Sequence, residues 1–239
     1  MKNRYLCCLS FALMVCLSGH SQIVVPEPNM WLNKRSFTIG YNSERLCPNV
    51  VIWDITKNDA YAKRKRMATS FRQDPDVPSP RAKRGDYTKS GYVRGHLCPS
   101  ADRKVSASLM KETFLLSNVC PQTEQLNCFA WLEIENRTRA IAAATERTQV
   151  GAGTLFSSDT VRYLGRSKIQ VPEALWKVVI SFSPDTMVTC FVCQNDSVIR
   201  SARSCIVPLD SIRKIVNNSL LFRLTLPVSQ KETHSIFQR

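Results

Sequence analysis

The sequence predicts an α+β fold, a central and mainly antiparallel sheet with flanking helices. Three observations carry this reading. Apolar, β-branched runs recur at Val50–Ile55, Val178–Ile180 and Met187–Cys193. The last two meet across the short turn Ser183-Pro184-Asp185, which pairs them antiparallel. Segments with helical spacing do not alternate regularly with the strands, as a doubly wound parallel sheet requires.

Taken in order, Ile23 to Lys34 holds Pro26 and Pro28 and reads as an extended arm. Ser36–Tyr41 alternates and suits a strand, and Val50–Ile55 reads as a buried one. The basic run Lys63-Arg64-Lys65-Arg66 is either a solvated face or a phosphate contact. Phe71 to Pro80, with three prolines, reads as an irregular loop. Val105–Leu116 has helical spacing, and Leu115–Val119 reads as a short strand closed by Pro121. Leu126, Ala130, Trp131, Ile134 and Ile141 recur at helical spacing, so Leu126–Ala144 is predicted as helix. Val150–Phe156 is a strand of small residues, and Lys168–Phe182 pairs with Met187–Cys193. Ser211–Asn217 is predicted as a short helix with Asp210 as its N-cap.

Composition bounds the function. A formal charge of +14 in 239 residues implies an acidic partner, nucleic acid or an anionic surface. Lys2 and Arg4, the apolar run Leu6–Leu17 and the small residues around Ser21 read as a signal peptide over 1–21. A lipid anchor at Cys16 is disfavoured by the residues before it. Residues 22–239 then form a single domain with an N-terminal arm, still +12 without Lys2 and Arg4. The expected location is secreted or periplasmic, with no membrane insertion after signal removal. Seven cysteines follow position 21, an odd number, and export permits disulfides. Cys190 and Cys193 lie three apart on a strand and face opposite sides, which favours packing over a metal knuckle.

Two segments carry chemistry. The first is Ser90–Arg103, with His96; the other histidines are His20 and His234, near the ends. Arg94 and His96, two apart, point from one face of a strand that ends at Pro99. The second is Asn127, Trp131, Glu135 and Arg139, spaced by four. On a helix they form one stripe drifting by about 40° per step. Phosphodiester cleavage needs an activated water and stabilisation of charge on oxygen. A neutral imidazole suits the first task. A hard cation with few protein ligands suits the second, and Asn127 offers one amide oxygen. Arginine forks bind phosphate. Contacts to backbone phosphates give little sequence preference.

Arg94-Gly95-His96-Leu97 with Pro99 and Ala101-Asp102, Thr113–Val119 with Pro121-Gln122, and Leu126-Asn127 with Trp131 and Glu135 together resemble the DNA/RNA non-specific endonuclease family. The resemblance runs from about Ser36 to Phe222. It implies a ββα-metal active-site motif and a Mg²⁺-dependent endonuclease, Mn²⁺ being another hard cation that serves. DNA and RNA would be bound through the phosphate backbone. It implies His96 as base, Asn127 as direct metal ligand and Glu135 as holder of metal-bound water. Arg94 and Arg139 would support phosphate, and Arg72 is the candidate for the family's upstream arginine. The chain departs from the family at Val93, where an acidic residue is common. Val93 is expected to face away from His96 as structural support. The departure leaves open an inactive nucleic-acid-binding module on the same fold. A basic protein that binds anionic glycans is a third reading. A second copy of the chain and a protein inhibitor are further partners left open.

Overall fold

A computed structural model describes residues 23–24, 27–182, 185–216, 218–221 and 223–224. The expected signal peptide, His20, His234, Ser183 and Pro184 lie outside the described residues. The strands β1 (Ile23–Val24), β2 (Met30–Asn33), β3 (Thr38–Asn42) and β4 (Cys47–Thr56) lead into a short helix α1 (Lys57–Tyr61). A largely irregular stretch follows. Then come β5 (Val93–His96), α2 (Ala107–Glu112), β6 (Val119–Gln122) and α3 (Trp131–Ala144). The remainder is β7 (Arg147–Ser157), β8 (Tyr163–Leu164), β9 (Ile169–Gln170), β10 (Ala174–Phe182), β11 (Thr186–Gln194), β12 (Ile206–Val207), α4 (Leu209–Ile215) and α5 (Asn218–Leu221).

The main sheet runs β12-β11-β10-β7-β4-β3-β2, with every neighbouring pair antiparallel. The α+β expectation holds. The predicted arm differs: Met30–Asn33 is the edge strand of the sheet, and Ile23–Val24 pairs with β7. Pro26 and Pro28 mask this in the sequence, yet Pro28 precedes the strand; Pro26 lies outside the described residues. Leu116–Asn118 is a 3-10 turn, and the strand after it contains Pro121 instead of ending before it. Among the described residues β6 pairs only with β5, so the missing N–H of Pro121 falls on the edge away from β5. The last predicted helix begins at Leu209 with Pro208 as N-cap. Asp210 sits inside the first turn, bonded to Arg213.

Strand alternation divides the interior in two. Val51, Trp53, Ile55, Val150, Ala152, Leu175, Val179 and Phe191 pack on the face that carries α3. Val50, Leu155, Trp176, Val178, Ile180 and Val188 pack on the other face, against Leu209 and Ile212 of α4 and Leu220 and Leu221 of α5. Cys190 and Cys193 fall on opposite faces, as their spacing predicts. The seven cysteines among the described residues are free thiols; six are buried and Cys128 is exposed.

The small residues of β7 let this sheet close. A Cβ on Gly153 would lie 2.0 Å from the backbone oxygen of Asn49 and 2.6 Å from Trp176 Nε1. Neither neighbour can swing away, since one is backbone and the other a buried ring. Gly153→Ala is expected to cost about 1–3 kcal/mol of stability through overpacking. A denaturant midpoint equal to that of the unsubstituted protein would contradict this.

Candidate active site

β5, β6 and α3 form a unit beside the main sheet: an antiparallel pair followed by a helix. His96 ends β5 and pairs with Val119; Gly95 pairs with Cys120. A Cβ on Gly95 would meet the side chain of Gln122 at 2.0 Å. Gln122 is fully buried, so glycine is what lets β5 lie close over it. The alternation then sends Arg94 and His96 to one side, as read from the sequence. Both line a cavity of about 560 Å³ together with Arg66, Phe71, Lys104, Asn127, Glu135 and Arg139.

His96 is held by packing more than by hydrogen bonds. Its ring lies 5.0 Å from Phe71 and 5.0 Å, edge-on, from Phe114. Its backbone oxygen accepts from Trp131 Nε1 at 3.1 Å, which ties β5 to α3. Asn118 fixes the turn beyond it. The Asn118 Oδ1 accepts from Cys98 N, and its Nδ2 donates to Cys98 O and Thr113 O. Nε2 of His96 is buried and has no protein partner. Burial among these rings, aided by the charge of Arg66, lowers the His96 pKa to about 3. The imidazole is therefore neutral across the physiological range and able to accept a proton.

Asn127 stands in a π-helical turn, Leu126–Ala130, that continues directly into α3. Such turns rotate a side chain off the regular helical stripe and recur at functional sites. Asn127 and Glu135 both reach the cavity. Burial raises the Glu135 pKa to about 7, against the opposing pull of Lys177. Arg139 lines the same wall and donates to Asp102 Oδ1 at 2.8 Å; the other oxygen of Asp102 accepts from Trp53 Nε1 at 2.9 Å. Arg94 stacks over Phe71 and Tyr87 and donates to Arg84 O, and its Nε is buried without a partner.

One expectation fails. Arg72 does not reach the cavity: its side chain is exposed and donates to Lys111 O at 2.9 Å. Its backbone bridges to Phe114 and Leu116, which presses Phe71 against His96 and sends the adjacent side chain outward. The arginine that does line the cavity upstream is Arg66, set over the Phe114 ring at 5.3 Å. Its signal in the sequence was the basic run at 63–66. Val93, at the start of the strand, also belongs to the cavity wall.

Four cations and one carboxylate therefore line the space around a neutral imidazole. Among the described residues no three His, Cys, Asp or Glu side chains gather, so any cation here is held by few protein atoms. Asn127 and Glu135 supply hard oxygen donors, which fits a hydrated Mg²⁺-like ion.

The family model for DNA/RNA non-specific endonucleases matches residues 21–229. The chain belongs to this family. Its nuclease relatives include the mitochondrial nuclease of Saccharomyces cerevisiae, 29% identical over 84% of this chain and 67% of that one. The nuclease of Nostoc sp. is 29% identical over 68% of this chain and 58% of that one. Human mitochondrial endonuclease G is 36% identical over 48% of this chain and 42% of that one. The chain thus spans from under half to two thirds of these relatives' lengths. Among solved structures, a crystal structure of the EndoG/EndoGI complex superposes with a TM-score of 0.72 at 22% identity, covering 80% of this chain and 85% of that one. That likeness bears on the fold, and the fold is the nuclease family's own.

Arg66→Ala is expected to move the His96 pKa upward, since a nearby positive charge opposes protonation. Arg72→Ala is expected to leave it in place. Titration of the His96 ring resonances by NMR checks both, and equal shifts in the two variants would contradict the placement of Arg66.

Proposed function

We propose that this chain is a metal-dependent endonuclease that hydrolyses phosphodiester bonds in DNA and RNA without regard to sugar. The observation that carries the reading is a neutral His96 in the wall of a cationic cavity that Asn127 and Glu135 also line. The His96 imidazole takes the proton from an attacking water. Arg66 and Arg94 hold the non-bridging phosphate oxygens, and Arg139, fixed by Asp102, completes the cationic wall. Asn127 and Glu135 are the residues that would hold Mg²⁺ or Mn²⁺, which supplies charge stabilisation to the departing oxygen. No base-reading groove is invoked, so selectivity is low and binding weakens steeply with salt.

The N-terminal apolar run supports a secreted or periplasmic location, although it lies outside the described residues. The crystallised EndoG was bound to EndoGI, a case of EndoG inhibition. A basic cavity of this kind suits an acidic inhibitor here too. The second reading, an inactive binding module, is kept by Val93 at the cavity rim.

Supercoiled plasmid and RNA with Mg²⁺ test the proposal. Cutting is expected, with its loss on chelation and recovery on adding metal back. Intact nucleic acid at every metal concentration contradicts it. His96→Ala is expected to reduce cutting by about 10²–10⁴-fold, as for loss of a general base, while DNA binding persists. An unchanged rate would favour the module.

The pH profile is a separate check. His96 stays neutral well below pH 6, while burial raises the Glu135 carboxyl of the metal-free protein to about 7, so protons and cation compete for Glu135. The Mg²⁺ concentration needed for half-maximal cutting is expected to fall as pH rises through 7, and Glu135→Gln is expected to abolish that dependence along with most activity. A dependence that survives the substitution would assign it to another group.

A further inference from the structure

Cys193 and Cys205 meet in the interior on the α3 side of the sheet. Cys193 is the penultimate residue of β11, and Cys205 ends the 3-10 turn Ala202–Cys205 that leads into β12. β12 folds back on β11 with Ile206 opposite Phe191, which brings the two cysteines side by side. Both are buried in the same apolar cluster, and their thiols are hydrogen-bonded to each other. With Leu126 and Ala130 they line one small interior gap. Sulfurs already in contact need little backbone movement to become bonded.

The residues between the two cysteines seat the turn that carries Asn127. Asn195 donates from Nδ2 to Pro121 O and Pro172 O, at 3.0 and 2.9 Å, and its Oδ1 accepts from Thr123 N at 2.9 Å. The backbone oxygen of Asp196 accepts from Thr123 Oγ1 at 2.7 Å. Thr123 in turn receives the first N–H groups of the π-helical turn: its Oγ1 accepts from Leu126 N and its backbone oxygen from Asn127 N. At the far end Ala202 N donates to Glu133 of α3 at 2.8 Å. An ion pair between Asp196 and Arg200 closes the span on itself.

We propose that Cys193 and Cys205 form a disulfide, which clamps the 194–204 loop against the turn that carries Asn127. In the cell the bond rests on the exported location read from residues 1–21, since disulfides persist in oxidising compartments. The oxidant is a second disulfide, such as oxidised glutathione. One cysteine thiolate attacks a sulfur of that disulfide and releases one reduced thiol. The other cysteine then attacks the mixed disulfide, forms the protein bond and releases the second reduced thiol. Two protein thiols are oxidised, one disulfide is reduced, and the two protein protons end on the released thiols. Cys190 takes no part, because it lies on the opposite face of β11.

The test refolds the full chain in oxidised and reduced glutathione, blocks free thiols by alkylation and maps the peptides by mass spectrometry. A peptide pair linked through Cys193 and Cys205 is expected, and dithiothreitol is expected to separate it. The oxidised protein is expected to melt about 5–10 °C above the reduced one, the scale for a bond that closes a short loop. Cys205→Ala is expected to melt at the same temperature in both states. Hydrogen exchange at the amides of Leu126 and Asn127 is expected to be slower in the oxidised protein, because the clamp opposes local opening. Alkylation of both cysteines after oxidative refolding, or a link from either to a different cysteine, overturns the bond. A bond that leaves exchange over 123–130 unchanged overturns the clamp. If Cys205→Ala does not fold, the mapping and the melting of the unsubstituted protein with and without dithiothreitol decide the question. A bond that forms in this buffer but is missing from protein recovered from cells overturns the exported location and leaves the disulfide site standing. No readout depends on cutting, so the nuclease reading is tested apart from this one.

Discussion

Trp131 is the joint on which the site depends. It is fully buried at the start of α3, its N–H bonded to the backbone oxygen of His96 and its face against the Lys177 ammonium. One side chain thus sets the height of the histidine strand over the helix and the height of the helix over the sheet. Asn127 precedes it by one turn and Glu135 follows by one turn. Fixing the indole therefore fixes the spacing of base, amide and carboxylate together. Preorganisation of this kind lowers the cost of bringing groups to a reacting centre.

The electrostatics follow from the same packing. His96 is surrounded by Phe71 and Phe114 and faces Arg66, so its proton is driven off and the imidazole stands ready as a base. Glu135 is pushed the other way by burial. Two groups with ordinary pKa values two units apart thus exchange their order of ionisation. The surplus of arginine and lysine over carboxylate around them suits a polyanionic substrate, in keeping with the strongly basic chain.

Much of this was legible before the structure. The β-branched runs marked β4, β10 and β11. The helical recurrence of Leu126, Ala130, Trp131, Ile134 and Ile141 marked α3, and the alternation around Gly95 placed Arg94 and His96 on one side. What escaped has physical causes. Met30–Asn33 lies behind two prolines, whose local signal is that of an arm, while its pairing with β3 is a tertiary fact. Arg66 and Arg72 both lie in irregular backbone, where no period says which side chain turns inward. The choice is made by Phe71, which takes the inner position and turns its neighbour out. The burial of Lys177 was hidden because a lysine in a strand ordinarily marks a solvated face. Only the opposing helix shows that this face is covered.

The division of β10 between two interiors has a consequence for how the sheet assembles. Odd-numbered residues from Leu175 to Val179 face α3, and even-numbered ones from Trp176 to Ile180 face α4. Sliding β10 by a single position against β7 would exchange the two sets. The lone ammonium would then enter a layer of leucine, isoleucine and valine with no anion or indole to receive it. One lysine among apolar neighbours therefore acts as a key: it makes the mispaired sheet inaccessible and leaves one alignment of the central strands.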